Sequence, residues 1–198
     1  MHPAIGVRTL IEPLRFSRRF AASSFDVSIA NTKGPESLTG LVQELGPVIK
    51  PVTAAEALRA DMVILAIPFD AVPDAVKGVD WDGRIVVDTT NAIDLPAFTP
   101  RDLKGRLSTQ IVADAVPGAQ VVKAFNTLPA ALLGADPAVS GGRRVLFVSG
   151  DETSARLAVV DLVGHLGFAA IDLGGIAEGG PAQQFGGNVP GKEFVQIG

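Results

Sequence analysis

The feature that most constrains the fold is a series of short apolar runs, each followed by a polar turn and a helical pattern. The most apolar run, residues 62–67, reads Met-Val-Ile-Leu-Ala-Ile and is too short to cross a bilayer. A continuous apolar run of this length is typical of a strand covered on both faces. Alternation of such strands with helices predicts βαβ units around a mostly parallel sheet, and therefore an α/β fold.

The other elements follow the same alternation. Strands are predicted at residues 26–30, 84–88, 120–123, 144–149 and 168–172, and helices at residues 13–22, 35–45, from residue 53, and at 151–166. Thr53 and Glu56 have the spacing of a capping box. The tail, residues 174–198, predicts loop with a short extended end. The whole indicates a Rossmann-type doubly wound sheet over residues 1–140 and a small C-terminal α/β portion over residues 141–198.

Composition excludes several kinds of chemistry. The 198 residues contain no Cys and no Tyr, so a thiolate nucleophile, a zinc–thiolate site and a Tyr proton donor are all excluded. The two histidines, His2 near the terminus and His165 on the Asp161 side of a helix, are predicted to lie outside any site. A net charge of −4 with scattered cations argues against nucleic-acid binding. No signal or membrane-spanning pattern is visible, which predicts a cytoplasmic protein without a membrane partner.

The turn after the second strand holds Asn31, Thr32 and Lys33. In a dinucleotide-binding unit this turn meets the adenosine ribose, where an NAD site places an acidic residue and an NADP site places cationic or hydroxyl groups. A hydroxyl and an ammonium suit a 2′-phosphate. From this turn alone, an NADP site and an ordinary polar turn are equally good interpretations.

Three more turns follow predicted parallel strands, whose carboxyl ends form the ligand-binding edge of such a sheet. The first is Ile67-Pro68-Phe69, an apolar turn. The second, after Asp88, ends in Asn91, and the third contains Asn126 and Thr127. Taken singly, these turns also have a purely structural interpretation. The first would be a strand that ends at a proline, and Asn126 and Thr127 would cap the helix after Pro129. Functionally, all three turns would line the cofactor cleft.

Taken together, six blocks of sequence resemble the NADP oxidoreductases that use the deazaflavin coenzyme F-420, and the related reductase domain of membrane ferric reductases. The blocks are VSIANTKGPESL, VILAIPFDAVPDAV, IVVDTTNAI, PGAQVVKAFNTLPA, RRVLFVSGDETSA and LGFAAIDLGGIAEGG. They occur in order at family-like spacing from about residue 18 to the C-terminus. The resemblance implies a Rossmann domain that binds NADP, a second cofactor stacked on the nicotinamide (a deazaflavin, or a flavin), and a homodimer.

The resemblance also implies roles for particular residues. Thr32 and Lys33 match the pair that holds the 2′-phosphate, and residues 67–69 match the turn along the nicotinamide. The stretch that meets both rings corresponds to Ala124, Phe125, Asn126, Thr127 and Leu128. The implied activity is hydride transfer between NADP(H) and a deazaflavin. The alternatives are an NADPH reductase that uses a flavin or another acceptor, and a non-catalytic Rossmann protein that binds nucleotide weakly or not at all.

The phosphate-binding turn departs from the family. Residues 4–14 contain only Gly6, where a G-x-G-x-x-G turn is expected. When the family pattern is counted back without gaps from Arg18-Arg19, its three glycines fall on Arg8, Leu10 and Pro13. An insertion that aligns Gly6 with the first glycine still leaves the other two missing. A natural loss, a shifted reading frame and a different loop geometry are all compatible with this. The departure predicts impaired NADP(H) binding.

Overall fold

The structure is a computed structural model that describes the backbone of residues 5–9, residues 17, 19 and 20, and residues 25–198. Its strands are β1 (Ile5–Thr9), β2 (Val27–Ala30), β3 (Ile49–Pro51), β4 (Met62–Ala66), β5 (Ile85–Asp88), β6 (Ile93–Asp94), β7 (Thr99–Pro100), β8 (Gln120–Lys123), β9 (Ala138–Val139), β10 (Gly142–Gly150), β11 (Ala169–Asp172) and β12 (Val195–Gln196). Its α-helices are α1 (Thr39–Leu45), α2 (Ala54–Ala57), α3 (Val72–Ala75), α4 (Ser108–Ala115), α5 (Ala130–Leu133), α6 (Thr153–His165) and α7 (Ile176–Gln183), with 3₁₀ turns at Pro35–Leu38 and Phe69–Ala71.

The main sheet has the order β3-β2-β1-β4-β5-β8, all parallel, which is the 3-2-1-4-5-6 order of dinucleotide-binding sheets. Beyond β8 the sheet continues with β10, which is antiparallel to β8, and with β11, which is parallel to β10. The predicted α/β fold with a mostly parallel sheet is confirmed.

The register of the sheet brings the carboxyl ends of its strands into line. Thr9 pairs with Ala66, Leu65 pairs with Asp88, and Asp88 pairs in turn with Lys123. The residues that follow β4, β5 and β8 therefore emerge side by side at one edge. This edge is where an open α/β sheet binds its ligands.

Both faces of the sheet are covered by apolar side chains. On one face, Val159 and Val163 of α6 pack with Ile64 of β4 in a single buried cluster. A second cluster joins Val63 and Leu65 of β4 to residues of α3 and α4 and to the fully buried Trp81. The continuous apolar run 62–67 is thus explained, because successive side chains of β4 point into opposite cores.

The tail differs from its prediction. Residues 176–183 form the helix α7, although the sequence predicts loop there, whereas the predicted extended end is present as β12. Two glycines and Pro181 lie inside this helix and give it poor intrinsic propensity. Packing compensates: a Cβ on Gly179 would lie 2.5 Å from Leu173 Cβ, so only glycine allows the helix to approach this closely. Tertiary contact rather than local sequence therefore selects the helix.

The predicted N-terminal helix, residues 13–22, lies mostly outside the described residues. Ser17, Arg19 and Phe20 are helical, and Phe20 is fully buried. Among the tail's apolar residues, Phe185 and Phe194 pack edge-on against Phe98 and Phe147 of the same chain. Two of the apolar side chains of the tail therefore have packing partners within the same chain.

Candidate functional site

A cavity of about 620 Å³ opens at the carboxyl ends of β4, β5 and β8. It is lined by Ala66, Ile67, Pro68, Phe69, Asp70, Thr89, Thr90, Asn91, Ile93, Leu95, Phe98, Arg101, Phe125, Asn126, Leu128, Ala130 and Leu133. Seven predicted site residues come together here: Ile67, Pro68, Phe69, Asn91, Phe125, Asn126 and Leu128. Most of the lining is apolar, with few polar groups, which is the usual make-up of a small-molecule site.

Two asparagines lock the floor of the cavity. Asn91 Nδ2 donates to the carbonyl of Asn126 at 3.0 Å, and Asn126 Nδ2 donates back to Asn91 Oδ1 at 3.1 Å. Asn126 Nδ2 also donates to the carbonyl of Gln183 at 2.8 Å. Phe125, directly before Asn126, adopts φ +62°, a left-handed conformation that is costly for a bulky residue and is concentrated at functional sites.

Directly beneath this floor lies a buried ion pair that the sequence did not single out. Lys123 Nζ lies 3.0 Å from Asp88 Oδ2, and the side chains are 1% and 0% exposed. Asp88 Oδ1 accepts from the amide and hydroxyl of Thr90, Oδ2 accepts from Thr109 Oγ1, and Lys123 also donates to the Thr90 carbonyl. The sequence signal for this ion pair was that two neighbouring apolar strands each end in a charged residue, β5 in Asp88 and β8 in Lys123. The pair holds β5 and β8 together where the cavity begins.

Two predicted residues of the same stretch lie behind the cavity. Ala124 is fully buried, and Thr127 is 2% exposed. Thr127 Oγ1 has no hydrogen-bond partner among the described residues, and its carbonyl accepts from Gly191. The helix after Pro129 has no side-chain cap, so the interpretation of Asn126 and Thr127 as caps is wrong.

The turn predicted to bind a 2′-phosphate follows β2 at the same edge of the sheet. Asn31 Oδ1 accepts from the amide of Lys33 at 2.9 Å and from the hydroxyl of Ser37, so the Asn31 amide group organises the turn itself. Gly34, with φ +89°, provides the left-handed bend that follows. Thr32 and Lys33 are left exposed. The turn therefore presents a hydroxyl and an ammonium to solvent on a fixed backbone.

Gly6 is not placed to form a phosphate turn. It lies inside β1, where it pairs with Ser28 and Val63, and the strand continues to Thr9. A phosphate-binding turn follows the strand, and after Gly6 the sequence has no glycine before Gly34. Arg8, at the first family glycine in the gap-free count, also lies within β1. Leu10 and Pro13 lie outside the described residues.

Sequence reasoning missed the β6–β7 hairpin, which forms one wall of the cavity through Ile93, Leu95 and Phe98. It also missed Arg101, which follows the hairpin and binds carboxylates on both sides of the cavity. Arg101 Nε lies 2.8 Å from Asp94 Oδ1, and Nη1 and Nη2 bind the Asp70 carboxylate. The hydrogen bonds that Arg101 donates to Asp70, and then those it donates to Asp94, raise the pKa of its guanidinium above the usual value.

His165 is not among the residues that line this cavity. His165 lies in the last turn of α6, half exposed, with Nδ1 2.9 Å from the Asp161 carbonyl and its ring edge-on to Phe25. His2 lies outside the described residues. In the part of the chain that is described, no cluster of three or more His, Asp or Glu side chains could hold a metal ion. No helix there has both the length and the hydropathy to cross a bilayer.

Comparison with known proteins agrees with this fold. The chain is 48% identical to SMa0349, a hypothetical protein from Sinorhizobium meliloti, whose crystal structure superposes with a TM-score of 0.94 over 99% of this chain and 96% of that chain. The two proteins belong to one family. Residues 15–92 match the model of the family described as NADP oxidoreductase, coenzyme F420-dependent, which confirms the resemblance inferred from the sequence.

Two more distant similarities are one of sequence and one of structure. The chain is 28% identical to Metalloreductase STEAP3 of Rattus norvegicus over 161 residues, which are 80% of this chain and 31% of that protein. The chain thus spans about a third of that relative's length. A protein assigned as an F420-dependent NADP-reductase from Arthrobacter sp. FB24 is 24% identical, with a TM-score of 0.73 over 89% of this chain and 86% of that chain. The family match over residues 15–92 supports an NADP-dependent oxidoreductase, and the Arthrobacter structure shows the shared fold.

Proposed function

We propose that the chain transfers a hydride between NADP(H) and a deazaflavin ring in the cavity at the ends of β4, β5 and β8. The observation that carries this proposal is the cavity itself, which joins the turn 67–69 to the asparagine-locked floor and to an apolar wall. Its volume of about 620 Å³ is within the range of sites that bury an aromatic ligand.

The residues present fit a dinucleotide that carries a 2′-phosphate. Thr32 and Lys33 would hold the phosphate, since both are exposed at the end of β2 and the turn contains no acid. Ile67, Pro68 and Phe69 would lie along the nicotinamide half. When it is bound, the nicotinamide supplies the hydride, which carries two electrons and one proton to the acceptor ring.

The protein's part in such a transfer is orientation. Hydride transfer between stacked rings depends on proximity and alignment more than on an acid–base group. The paired amides of Asn91 and Asn126 and the left-handed backbone at Phe125 would fix the floor against which the rings lie. The apolar lining would exclude water from the reacting atoms.

The cofactor part of the proposal is tested by titrating the protein with NADPH and NADH. NADPH should bind more tightly, and Lys33→Ala should weaken NADPH binding by about one to two decades, because it removes a charge-assisted contact to the phosphate. Lys50→Ala is the matched control: Lys50 is an exposed lysine paired with Asp26, which precedes β2 and so lies at the opposite edge. Equal affinity for the two nucleotides in the unaltered protein would contradict the proposal.

The acceptor part is tested by following the deazaflavin absorbance band with NADPH as donor. Reduction of the deazaflavin in preference to riboflavin is the expected result. Preferential reduction of riboflavin would favour the flavin alternative. Nucleotide binding without reduction of any acceptor would favour the non-catalytic alternative.

The Gly-poor segment before residue 17 bears on affinity. Backbone amides of a glycine turn normally approach the pyrophosphate, and side chains or a proline in that path weaken the contact. We therefore propose that NADPH binding is weak for the family. A G-x-G-x-x-G turn restored across residues 8–13 should tighten it, and submicromolar affinity in the unaltered chain would contradict this reasoning.

A further inference from the structure

The β6–β7 hairpin presents large apolar side chains to the cavity. Leu95 is 76% exposed and Phe98 is 64% exposed, and both line the cavity opposite the turn 67–69. Exposed apolar side chains that cluster in a groove often mark a ligand-binding site. The open cavity that they line also contains the predicted nicotinamide turn.

The conformation of Phe98 is held by its surroundings. Its backbone adopts φ +54°, which is unfavourable for a bulky residue. Its ring packs edge-on against Phe185 at 5.4 Å between centroids, so the tail of the chain supports it from behind. Strained residues of this kind persist where the surrounding structure fixes them, and they cluster at ligand-binding sites.

Arg101 joins the hairpin to the nicotinamide turn. It binds Asp94 and the carbonyl of Ile93 on the hairpin, and it binds Asp70 directly after Phe69. Its guanidinium carbon lies 6.0 Å from the centre of the Phe69 ring. Arg101 is the one cation that lines the cavity in the described part of the chain, and it is paired with two carboxylates. What remains facing the cavity from the hairpin is apolar.

We propose that Leu95 and Phe98 form the binding wall for the hydride acceptor, and that the apolar face of a planar aromatic ring packs against them, opposite the nicotinamide turn. The inference rests on the proposed function, because it places the second ring of that reaction. It commits to a ring recognised by apolar contact, since the charged groups lining the cavity, Asp70 and Arg101, already satisfy each other. On this basis the hairpin determines acceptor affinity and leaves nucleotide affinity to the turns after β2 and β4.

The test measures ring binding separately from turnover. 5-Deazariboflavin, a ring compound without a charged tail, is titrated by fluorescence into the protein saturated with NADP⁺. Leu95→Ala and Phe98→Ala should each raise its dissociation constant about tenfold, as expected for losing most of one apolar contact. Ile197→Ala is the control, because Ile197 is also 76% exposed but lies outside the cavity. It should change ring binding less than about twofold.

Nucleotide affinity provides the second readout. The dissociation constant for NADPH should stay within about twofold in all three variants, because the wall contacts only the acceptor. Unchanged ring binding in Leu95→Ala and Phe98→Ala, an equal loss of NADPH binding, or failure of the unaltered protein to bind the ring would each overturn the inference. Ring binding that depends on the wall, without any hydride transfer, would instead refute the proposed function alone.

Discussion

Replacement of Lys123 by methionine would remove the cation from the buried pair with Asp88 while keeping most of the side-chain volume. Asp88 would retain three neutral donors, from the amide and hydroxyl of Thr90 and the hydroxyl of Thr109, but no compensating charge. Removing one partner of a buried pair typically costs about 3–5 kcal/mol. Since Asp88 is 0% exposed, water cannot rehydrate its carboxylate without local opening.

That cost is large relative to the total. A domain of this kind is stable by about 5–15 kcal/mol, so Lys123→Met should remove about a fifth or more of it. The melting temperature should fall by about 6–20 °C, at 2–4 °C per kcal/mol for a domain of this size. The measurement is urea unfolding followed by far-UV circular dichroism, in which the midpoint should fall and the slope should stay unchanged.

The double variant Asp88→Asn, Lys123→Met separates charge from packing. The amide oxygen introduced by Asp88→Asn would still accept from Thr90, and no buried charge would remain in the pair. The double variant should therefore be more stable than the sum of the single changes predicts, with a coupling of about 2 kcal/mol. Lys50→Met, which breaks the exposed pair with Asp26, should cost under about 1 kcal/mol. A cost below about 1 kcal/mol for Lys123→Met, or simple additivity in the double variant, would refute the argument.

Two further predictions concern local structure. The pKa of Glu56 is lowered, first by the hydrogen bond from the Thr53 hydroxyl and then by the hydrogen bond from the Thr53 amide. The stability that Glu56 contributes is therefore present above the unfolded-state pKa of Glu, and it is lost as the pH falls through the lower folded-state pKa. Urea midpoints between about pH 7 and pH 3 should therefore fall more in the parent than in Glu56→Gln, and parallel curves would contradict this. Gly179→Ala should destabilise by about 1–3 kcal/mol, because its Cβ would overlap Leu173, whereas Gly164→Ala in α6 meets open space and should be neutral or stabilising. Equal thermal shifts for the two alanine variants would show that close packing at α7 is not the cause.

The elements that were predicted correctly are those with a strong local pattern. The apolar run 62–67 contains β4, and the helix predicted at residues 151–166 is present as α6, with Ala155, Val159 and Val163 buried along one face. The capping box of Thr53 and Glu56 is present with both hydrogen bonds. In each case the stabilising interactions lie within a few residues of one another, or depend only on which face is apolar.

The elements that were missed are stabilised by contacts that are distant in sequence. The β6–β7 hairpin pairs only two residues on each strand and depends on Arg101, whose partner Asp70 is 31 residues away. The helix α7 has glycines and a proline where a helix pattern would need good helix formers. The sequence also identifies the cavity's floor, through polar residues at strand ends, but not its wall, because exposed apolar residues in a loop carry no period that marks them as lining a site.

The same long-range contacts explain why the tail bears on the site at all. Gln183, in the last turn of α7, is 0% exposed, and its side-chain nitrogen lies within hydrogen-bond distance of the carbonyls of Lys123 and Phe147 and of Asn126 Oδ1. Its backbone carbonyl accepts from Asn126, and its Oε1 accepts from the Ser149 hydroxyl. A helix from the C-terminal portion thereby fixes the orientation of the asparagine that closes the cavity floor. A buried amide left without these partners is costly, so we expect α7 and the end of β8 to form together. The geometry of the cavity floor therefore depends on residues from both predicted portions of the chain, 1–140 and 141–198.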